Sequence, residues 1–400
     1  MSSNSHFPNS SFSHIKSINS GTFSHVFQAT EVTTQKIVAV KVIKQNCHQY
    51  DASLSIIKNE IDTFSSVDHP FIASYFGWFE DSSFLDQEST SKNDKKGENK
   101  GENITYKDGF KPNVYIVMEF VKGMTLLEFI NQYYVMEEFD AQKVFIQLVS
   151  AIKYLHEVQK IVHRDIKLEN IIVSNHLIVK LIDFGLSSNF DDINKSRCGS
   201  IPYMAPELIL DHSGFTEAID VWSLGVILFC MMSGNLPFTA ENDEKLLSTI
   251  VYKDPDFSQI KSVPCRNLLK QILNKNPKKR ITLNQIIDHE WLKNSPLISL
   301  VNMTYPKKED ASKATSKDEI NGEILTQKIM EFTAKKIDFE KKANEIMHYE
   351  MFPVHRLSLP YAVPQMPQED KPKNITLSSL RRSSHPIPKN LKNRNGSPVK

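Results

Sequence analysis

The chain has 400 residues, 48 Lys and Arg against 47 Asp and Glu, and 40% apolar side chains. That length exceeds one ordinary domain and fits one large domain with extensions, and the apolar share is enough for a sizeable core. A formal net charge of +1 supplies no global field that would draw the chain to nucleic acid or an anionic membrane.

Residues 1–13 are polar, rich in Ser and Asn, and expected to be disordered. They contain no apolar h-region, so no secretory leader is expected, and Ser2 after the initiator excludes N-myristoylation. From His14 to Lys44 short apolar groups recur, at Ile15, Ile18, Val26-Phe27 and Ile37-Val38-Ala39-Val40, and predict successive antiparallel strands. Leu54, Ile57, Ile61 and Phe64 have helical spacing and predict a helix over 53–67. Phe71 to Phe79 reads as a strand. Residues 82–112 run through Ser-Lys-Asn-Asp-Lys-Lys-Gly-Glu-Asn with few large apolar groups, and are expected to be a disordered insertion. Val114 to Met118 resumes the strand pattern.

Beyond residue 125 the pattern is helical. Phe139 to Leu155 is apolar at 141, 144, 145, 148, 151, 152 and 155. Glu217 to Met232 is apolar almost throughout but shorter than the ~20 residues a bilayer needs, so it reads as a buried core helix. Leu268 to Leu273 and Leu283 to Leu292 predict two further helices. The order is a strand-rich part and then a helix-rich part, joined at Glu119 to Gly123, with a cleft for a ligand expected between them. Within 318–350, charged residues alternate with Leu325, Ile329, Phe332 and other apolar groups, and an amphipathic helix is expected over 323–350. Residues 353–400 are rich in Pro and Ser, and the basic stretch after 371 reads as a solvated, disordered end. Cys47, Cys198, Cys230 and Cys265 show no metal-binding spacing, and separate reduced thiols are expected.

The chemistry concentrates in His163-Arg164-Asp165-Ile166-Lys167-Leu168-Glu169-Asn170, with Asp183-Phe184-Gly185 after a further twelve residues and Ala205-Pro206-Glu207 beyond. A transferring phosphoryl group spreads charge over several oxygens, so its site needs cations, metal ligands and a base. Asp165 is placed to accept a hydroxyl proton, and Lys167 to reach the phosphate. Asn170 and Asp183 offer the oxygen ligands that suit Mg²⁺.

On these runs, residues of about 15–292 resemble a complete eukaryotic serine/threonine protein kinase domain. Asp183-Phe184-Gly185-Leu186-Ser187, Cys198-Gly199-Ser200 and Asp288-His289-Glu290-Trp291-Leu292 are similar to the calmodulin-dependent and AMP-activated kinase group. The resemblance implies an α+β, bilobal fold over 14–293, with an antiparallel sheet and one main helix in the first lobe and mostly helices in the second. Residues 294–400 would form a tail. It implies ATP and Mg²⁺ as cofactors, and transfer of the γ-phosphate of ATP to Ser or Thr of protein substrates. Lys167 and Gly199-Ser200 favour Ser/Thr over Tyr. Lys41 would contact the α and β phosphates and pair with Glu60.

The phosphate-covering loop would be Ile18, Asn19, Ser20, Gly21, Thr22, Phe23, Ser24, His25 and Val26. It keeps one of the family's three glycines, with Asn19 and Ser24 in place of the others. Met118 would limit the back pocket, the backbone of Glu119 to Val121 would bind adenine, and Ala39 and Ile172 would be its apolar roof and floor. Thr125 stands where related kinases often carry a Glu that reads a basic substrate residue, and Glu169 remains as a partner for such residues.

Ser196 would be the regulatory phosphorylation site, with Arg164 as its partner. Ser200 would contact Asp165 and Lys167, Asp220 would anchor the catalytic loop, and Glu207 would pair with Arg280. Phe64, Tyr75, His163 and Phe184 would stack as a column.

The expected partners are protein substrates and an upstream activating kinase, with no nucleic acid and no membrane span, in the cytoplasm or nucleus. A different class is a nucleotide-binding module without turnover, suggested by the reduced glycine loop. For the 323–350 helix, docking on the kinase domain and serving as a linker or partner-binding helix are both open.

Overall fold

β3 (Ile37–Ile43) is apolar except for Lys41, and every residue in it after Ile37 is buried. Successive side chains of a strand point to opposite faces. Ala39 and Lys41 therefore share one face, and Val38, Val40 and Val42 the other. Both faces must be covered, and the computed structural model shows how. It describes residues 11–20, 24–43, 54–81, 113–190, 198–210, 215–293, 295, 298–301 and 323–335. The chain divides into two compact units, residues 1–122 with 307–345, and residues 123–306 with 346–400.

In the first unit β3 lies at the centre of a five-stranded sheet with β1 (Phe12–Ser20), β2 (Ser24–Glu31), β4 (Tyr75–Asp81) and β5 (Asn113–Glu119). The spatial order is β1-β2-β3-β5-β4 and every neighbouring pair is antiparallel. The Lys41 face is met by α1 (Leu54–Ser66), whose Glu60 pairs with Lys41. The opposite face is covered from the far end of the sequence. Residues 323–335 are helical, and their Leu325 (0% exposed) and Ile329 (2%) lie in one apolar cluster with Phe27, Val38, Val40, Val42, Tyr115 and Val117. The unit thus has three layers, α1, the sheet and the 323–335 helix. The rest of the 323–350 range lies outside the described residues, as do 82–112 between the paired strands β4 and β5.

Two readings of this unit need correction. Phe12 and Ser13, expected in a disordered end, begin β1, and Phe12 is buried because its ring stacks on Phe79 at 6.1 Å. The strand expected from Phe71 begins at Tyr75. His69 turns the chain first, with its carbonyl accepting from the Ile72 N–H at 3.0 Å and its Nδ1 from the Phe71 N–H at 3.2 Å.

The second unit is mostly helical. Three short strands, β6 (Met124–Thr125), β8 (Ile171–Val173) and β9 (Val179–Leu181), form one sheet, and β7 (Ile161–Val162) pairs with β10 (Ser188–Asn189). The helices are α2 (Leu126–Tyr133), α3 (Glu138–Tyr154), α4 (Pro206–Ile209), α5 (Ala218–Ser233), α6 (Asp243–Tyr252), α7 (Val263–Ile272), α8 (Leu283–Ile287) and α9 (Ile298–Val301). Thr125 caps α2. Its hydroxyl accepts from the Glu128 N–H while the Glu128 carboxylate accepts from the Thr125 N–H, a reciprocal capping box.

α5 is the buried helix foreseen from its composition. Its Gly225 lets α7 approach, because a Cβ there would stand 2.4 Å from Ile272 Cγ2. The helix expected over Leu283 to Leu292 stops at Ile287, and the chain turns through His289, whose carbonyl accepts from the Leu292 and Lys293 N–H groups. The unit continues past residue 293, since α9 packs on α3. Among the described residues no helix is long and apolar enough to cross a membrane.

Candidate active site

In the sheet unit, register places Lys41 opposite Val26 on one side and Ile116 on the other. Its ammonium lies 2.5 Å from Glu60 Oε1, and both side chains are buried, at 8% and 7% exposure. A charge buried this deeply is tolerated only when paired. Of the loop residues, Ile18, Asn19 and Ser20 end β1, with Asn19 opposite Val26 and Ser20 opposite His25, and Ser24 begins β2. Gly21, Thr22 and Phe23 lie outside the described residues. Ala39 and Met118 are buried and directly opposite each other in the β3–β5 pair. Glu119 is anchored twice to Ser74, its N–H donating to the carbonyl at 2.8 Å and its carboxylate accepting from the N–H at 3.3 Å. Val121 follows, outside any helix or strand.

In the helical unit the residues between β7 and β8 form a buried network. Asp165 Oδ2 pairs with the Lys167 ammonium at 2.5 Å, and Asp165 Oδ1 accepts from the Ser200 hydroxyl at 3.1 Å. The Ser200 hydroxyl in turn accepts from Lys167 at 3.2 Å, which closes a triangle. Asn170 donates from Nδ2 to the Asp165 carbonyl at 2.9 Å and to Oδ2 at 3.1 Å. Gly199 sits at φ +125°, and a Cβ there would meet the Arg164 carbonyl at 3.0 Å. A glycine is therefore required where Ser200 is delivered to Asp165. Ile172 is half-buried in β8.

Asp220, fully buried in the first turn of α5, holds this loop from beneath. Its carboxylate accepts from the backbone N–H of His163 at 2.8 Å, the N–H of Arg164 at 2.9 Å and His156 Nε2 at 2.9 Å. Burial opposes its charge, yet the hydrogen bond and positive partner at His156 and the contact with His163 hold its pKa below the usual aspartate value. His156 reaches Asp220 from a π-helical turn, Leu155–Gln159, that follows α3. Sequence periodicity carried the helix through Leu155 and missed this turn. The His156-to-Asp220 contact had no local signal, since 64 residues separate the partners.

Of the seven described non-glycine residues with positive φ, two lie in this site, Arg164 at φ 65° and Asp183 at φ 73°. Non-glycine residues pay for such conformations, which concentrate at functional sites. Arg164 donates from Nε to the Leu186 carbonyl at 2.6 Å, tying the loop to the segment after Asp183. Ser196 lies outside the described residues. Asp183 Oδ1 accepts from the Gly185 N–H at 3.1 Å. The Phe184 ring lies 5.0 Å from His163, whose pKa burial lowers despite the neighbouring Asp220, Asp165 and Asp183. In the sheet unit Phe64 meets Tyr75 at 5.5 Å. Each of these two ring pairs lies within its own unit.

The donor set suits a hard cation. Asn170 spends its amide nitrogen on Asp165, which leaves the amide oxygen as its ligand atom, and Asp183 adds a carboxylate. Glu169 is half-buried and weakly bonded to the Tyr203 hydroxyl at 3.4 Å. Burial raises its pKa. Arg280 forms a bidentate pair with Glu207 at 2.6 and 2.9 Å, donates to the Ala218 carbonyl at 2.7 Å and stacks over Trp222. Cys230 and Cys265 are buried free thiols, and burial pushes Cys265 up to about 12. Cys47 lies outside the described residues.

The sequence pattern described as "Protein kinase domain" matches residues 12–292. The chain is 32% identical over 284 residues to CBL-interacting protein kinase 33 of Oryza sativa subsp. japonica, covering 70% of this chain and 56% of that protein. It is 31% identical over 332 residues to the carbon catabolite-derepressing protein kinase of Candida glabrata, covering 82% and 48%. It is 30% identical over 279 residues to an Aurora kinase of Dictyostelium discoideum, covering 70% and 65%. The chain therefore spans between about half and two thirds of the length of these relatives.

Proposed function

This chain belongs to the protein kinase domain family, and from that premise we propose that it transfers the γ-phosphate of ATP to Ser or Thr hydroxyls of protein substrates. The observation that carries the reading is the closed triangle of Asp165, Lys167 and Ser200, with Asn170 bonded into it. In this arrangement Asp165 accepts the hydroxyl proton of the acceptor. The ammonium of Lys167, held on Asp165 and Ser200, faces the negative charge of the transferring group. Lys41, kept in place by Glu60, serves the α and β phosphates. Asn170 and Asp183 would hold Mg²⁺, which would supply charge neutralisation at the phosphates. By the resemblance, the backbone of Glu119 to Val121 would hold the adenine, with Ala39, Met118 and Ile172 as its apolar neighbours, and Ile18 to Val26 would cover the phosphates. Ser/Thr specificity follows from Lys167 and Ser200. The names of the relatives, all kinases, support the same activity.

The regulatory part of the proposal is that a phosphate on Ser196 pairs with Arg164. The partners are protein substrates and an upstream kinase, with action in the cytoplasm or nucleus.

The test is phosphate incorporation from ATP into a generic protein substrate by the full chain and by Asp165→Asn. The expected loss is on the order of 10³-fold or more. Equal incorporation by the two proteins overturns the assignment. Nucleotide binding with no transfer by the unsubstituted chain would establish the binding module instead.

A further inference from the structure

Besides covering the outer face of the sheet, the 323–335 helix reaches one particular corner of the sheet unit. Its Phe332 ring meets Phe76 edge-on at 5.3 Å, its Lys328 ammonium stands over the Tyr75 ring at 5.8 Å, and its Lys335 reaches Asp68 at 3.4 Å. Tyr75 and Phe76 are the first residues of β4, and Asp68 lies in the connection from α1 to β4. All three contacts therefore fall where α1 hands over to the sheet. From there the path to the ion pair is short. Tyr75 packs against Phe64, and Phe64 follows Glu60 by one turn of α1.

A docked tail segment can inhibit or support. To inhibit through this unit it would have to cover the Lys41 face of the sheet or draw Glu60 away. The helix does neither. It lies on the Val38–Val40–Val42 face, opposite Lys41, and the Lys41–Glu60 pair is closed at 2.5 Å while it is docked.

We propose that the 323–335 helix is a built-in positioning element, which fixes the α1–β4 corner and through it holds Glu60 against Lys41, so that its docking raises activity. Phe332 and Lys328 are its positioning residues, acting through Phe76 and Tyr75. The activity arm rests on the phosphotransfer reading above.

The experiment compares the full chain with Phe332→Ala, Phe332→Trp and the exposed variants Lys328→Ala and Lys335→Glu. The readouts are amide hydrogen exchange in residues 54–66 and kcat and KM for ATP. Phe332→Ala is expected to speed exchange in 54–66 and to lower kcat/KM by roughly 2- to 30-fold, with Phe332→Trp restoring both. The two lysine variants shift both readouts in the same direction by smaller factors, and they decide the matter if Phe332→Ala does not fold. Unchanged exchange in 54–66, or unchanged or raised activity, overturns the proposal. If the unsubstituted chain transfers no phosphate, the phosphotransfer reading fails by itself, and exchange in 54–66 alone decides whether the helix positions α1.

Discussion

The two units secure their charged groups by opposite means. In the helical unit Asp165 is over-determined: Lys167, Ser200 and Asn170 bond it directly, and Asp220 clamps the two residues before it from beneath. In the sheet unit an ion pair joins Lys41 to Glu60, and its geometry is inherited from the packing of α1, β4 and the 323–335 helix. A network of short hydrogen bonds is local and stiff, and it fails only when a member is removed. A pair that depends on packing is tunable, because small changes in distant apolar contacts reach it. Asp165 is thus built as a fixed fixture, and Lys41 as an adjustable one.

The largest effect expected from this contrast is at Asp220. Asp220→Ala strands two backbone N–H groups and His156 in the core of α5, at a cost of roughly 3–5 kcal/mol, and releases the loop that carries Asp165. Denaturant unfolding should show that loss, with activity lost even where the protein remains folded. Full activity in folded Asp220→Ala would show that Asp165 does not need the clamp. Next comes the outer face of the sheet. Ile329→Ala removes a side chain that is 2% exposed and should cost about 2–5 kcal/mol, read as faster hydrogen exchange in β1 to β5, with the 161–173 segment unaffected. Equal loosening of both segments would break the contrast. Gly225→Ala comes third. It forces Ile272 away from α5, costs about 1–3 kcal/mol, and should perturb α7 while leaving exchange in α1 unchanged.

How much of this could be read from the chain itself follows the same division. The helical unit's site was legible because its members sit close together in sequence. Asp165, Lys167 and Asn170 span six residues, and that run, read with Asp183-Phe184-Gly185, is what points to phosphoryl transfer. Ser200, Asp220 and the Glu207–Arg280 pair came through resemblance, and the geometry brings each together with its expected partner. The sheet unit was legible as strands, since the β3 alternation marks both of its faces as apolar. What covers the second face was not legible, because Leu325 and Ile329 are nearly 300 residues away from Val38 and helical periodicity shows an apolar stripe without naming its partner. The false start at Phe71 has a similar cause. Phe71 and Ile72 are buried, at 1% each, but through a turn built on His69, and burial in a turn looks like a strand to a pattern of residue types. The π-helical turn at Leu155–Gln159 keeps the apolar spacing of α3 and changes only its hydrogen bonding, which residue type does not record.

The smallest expected effect tests the stiffness of the helical unit through pH. His163 is 0% exposed, and its Nδ1 accepts from the Asp165 N–H at 3.3 Å, so the neutral ring carries its proton on Nε2, a buried atom without a hydrogen-bond partner among the described residues. Burial lowers its pKa from 6.5, and Lys167 adds to that effect. The charges of Asp220, Asp165 and Asp183 oppose it without cancelling it. Below pH 6.5 the unfolded imidazole takes up a proton that the folded site refuses, so stability is full above 6.5. It falls as the pH drops from 6.5 toward the depressed folded value, by at most about 1.4 kcal/mol per pH unit for this one group. His163→Phe keeps a ring against Phe184 and removes the titration. It also strands the Asp165 N–H, which lowers stability by a similar amount at every pH and leaves the slope as the diagnostic. Unfolding midpoints measured at pH 7.5, 6.5 and 5.5 should therefore run flatter in the variant than in the unsubstituted chain. Equal slopes would mean that the folded loop opens far enough to admit the proton, and that the clamp on Asp165 is looser than its hydrogen bonds imply.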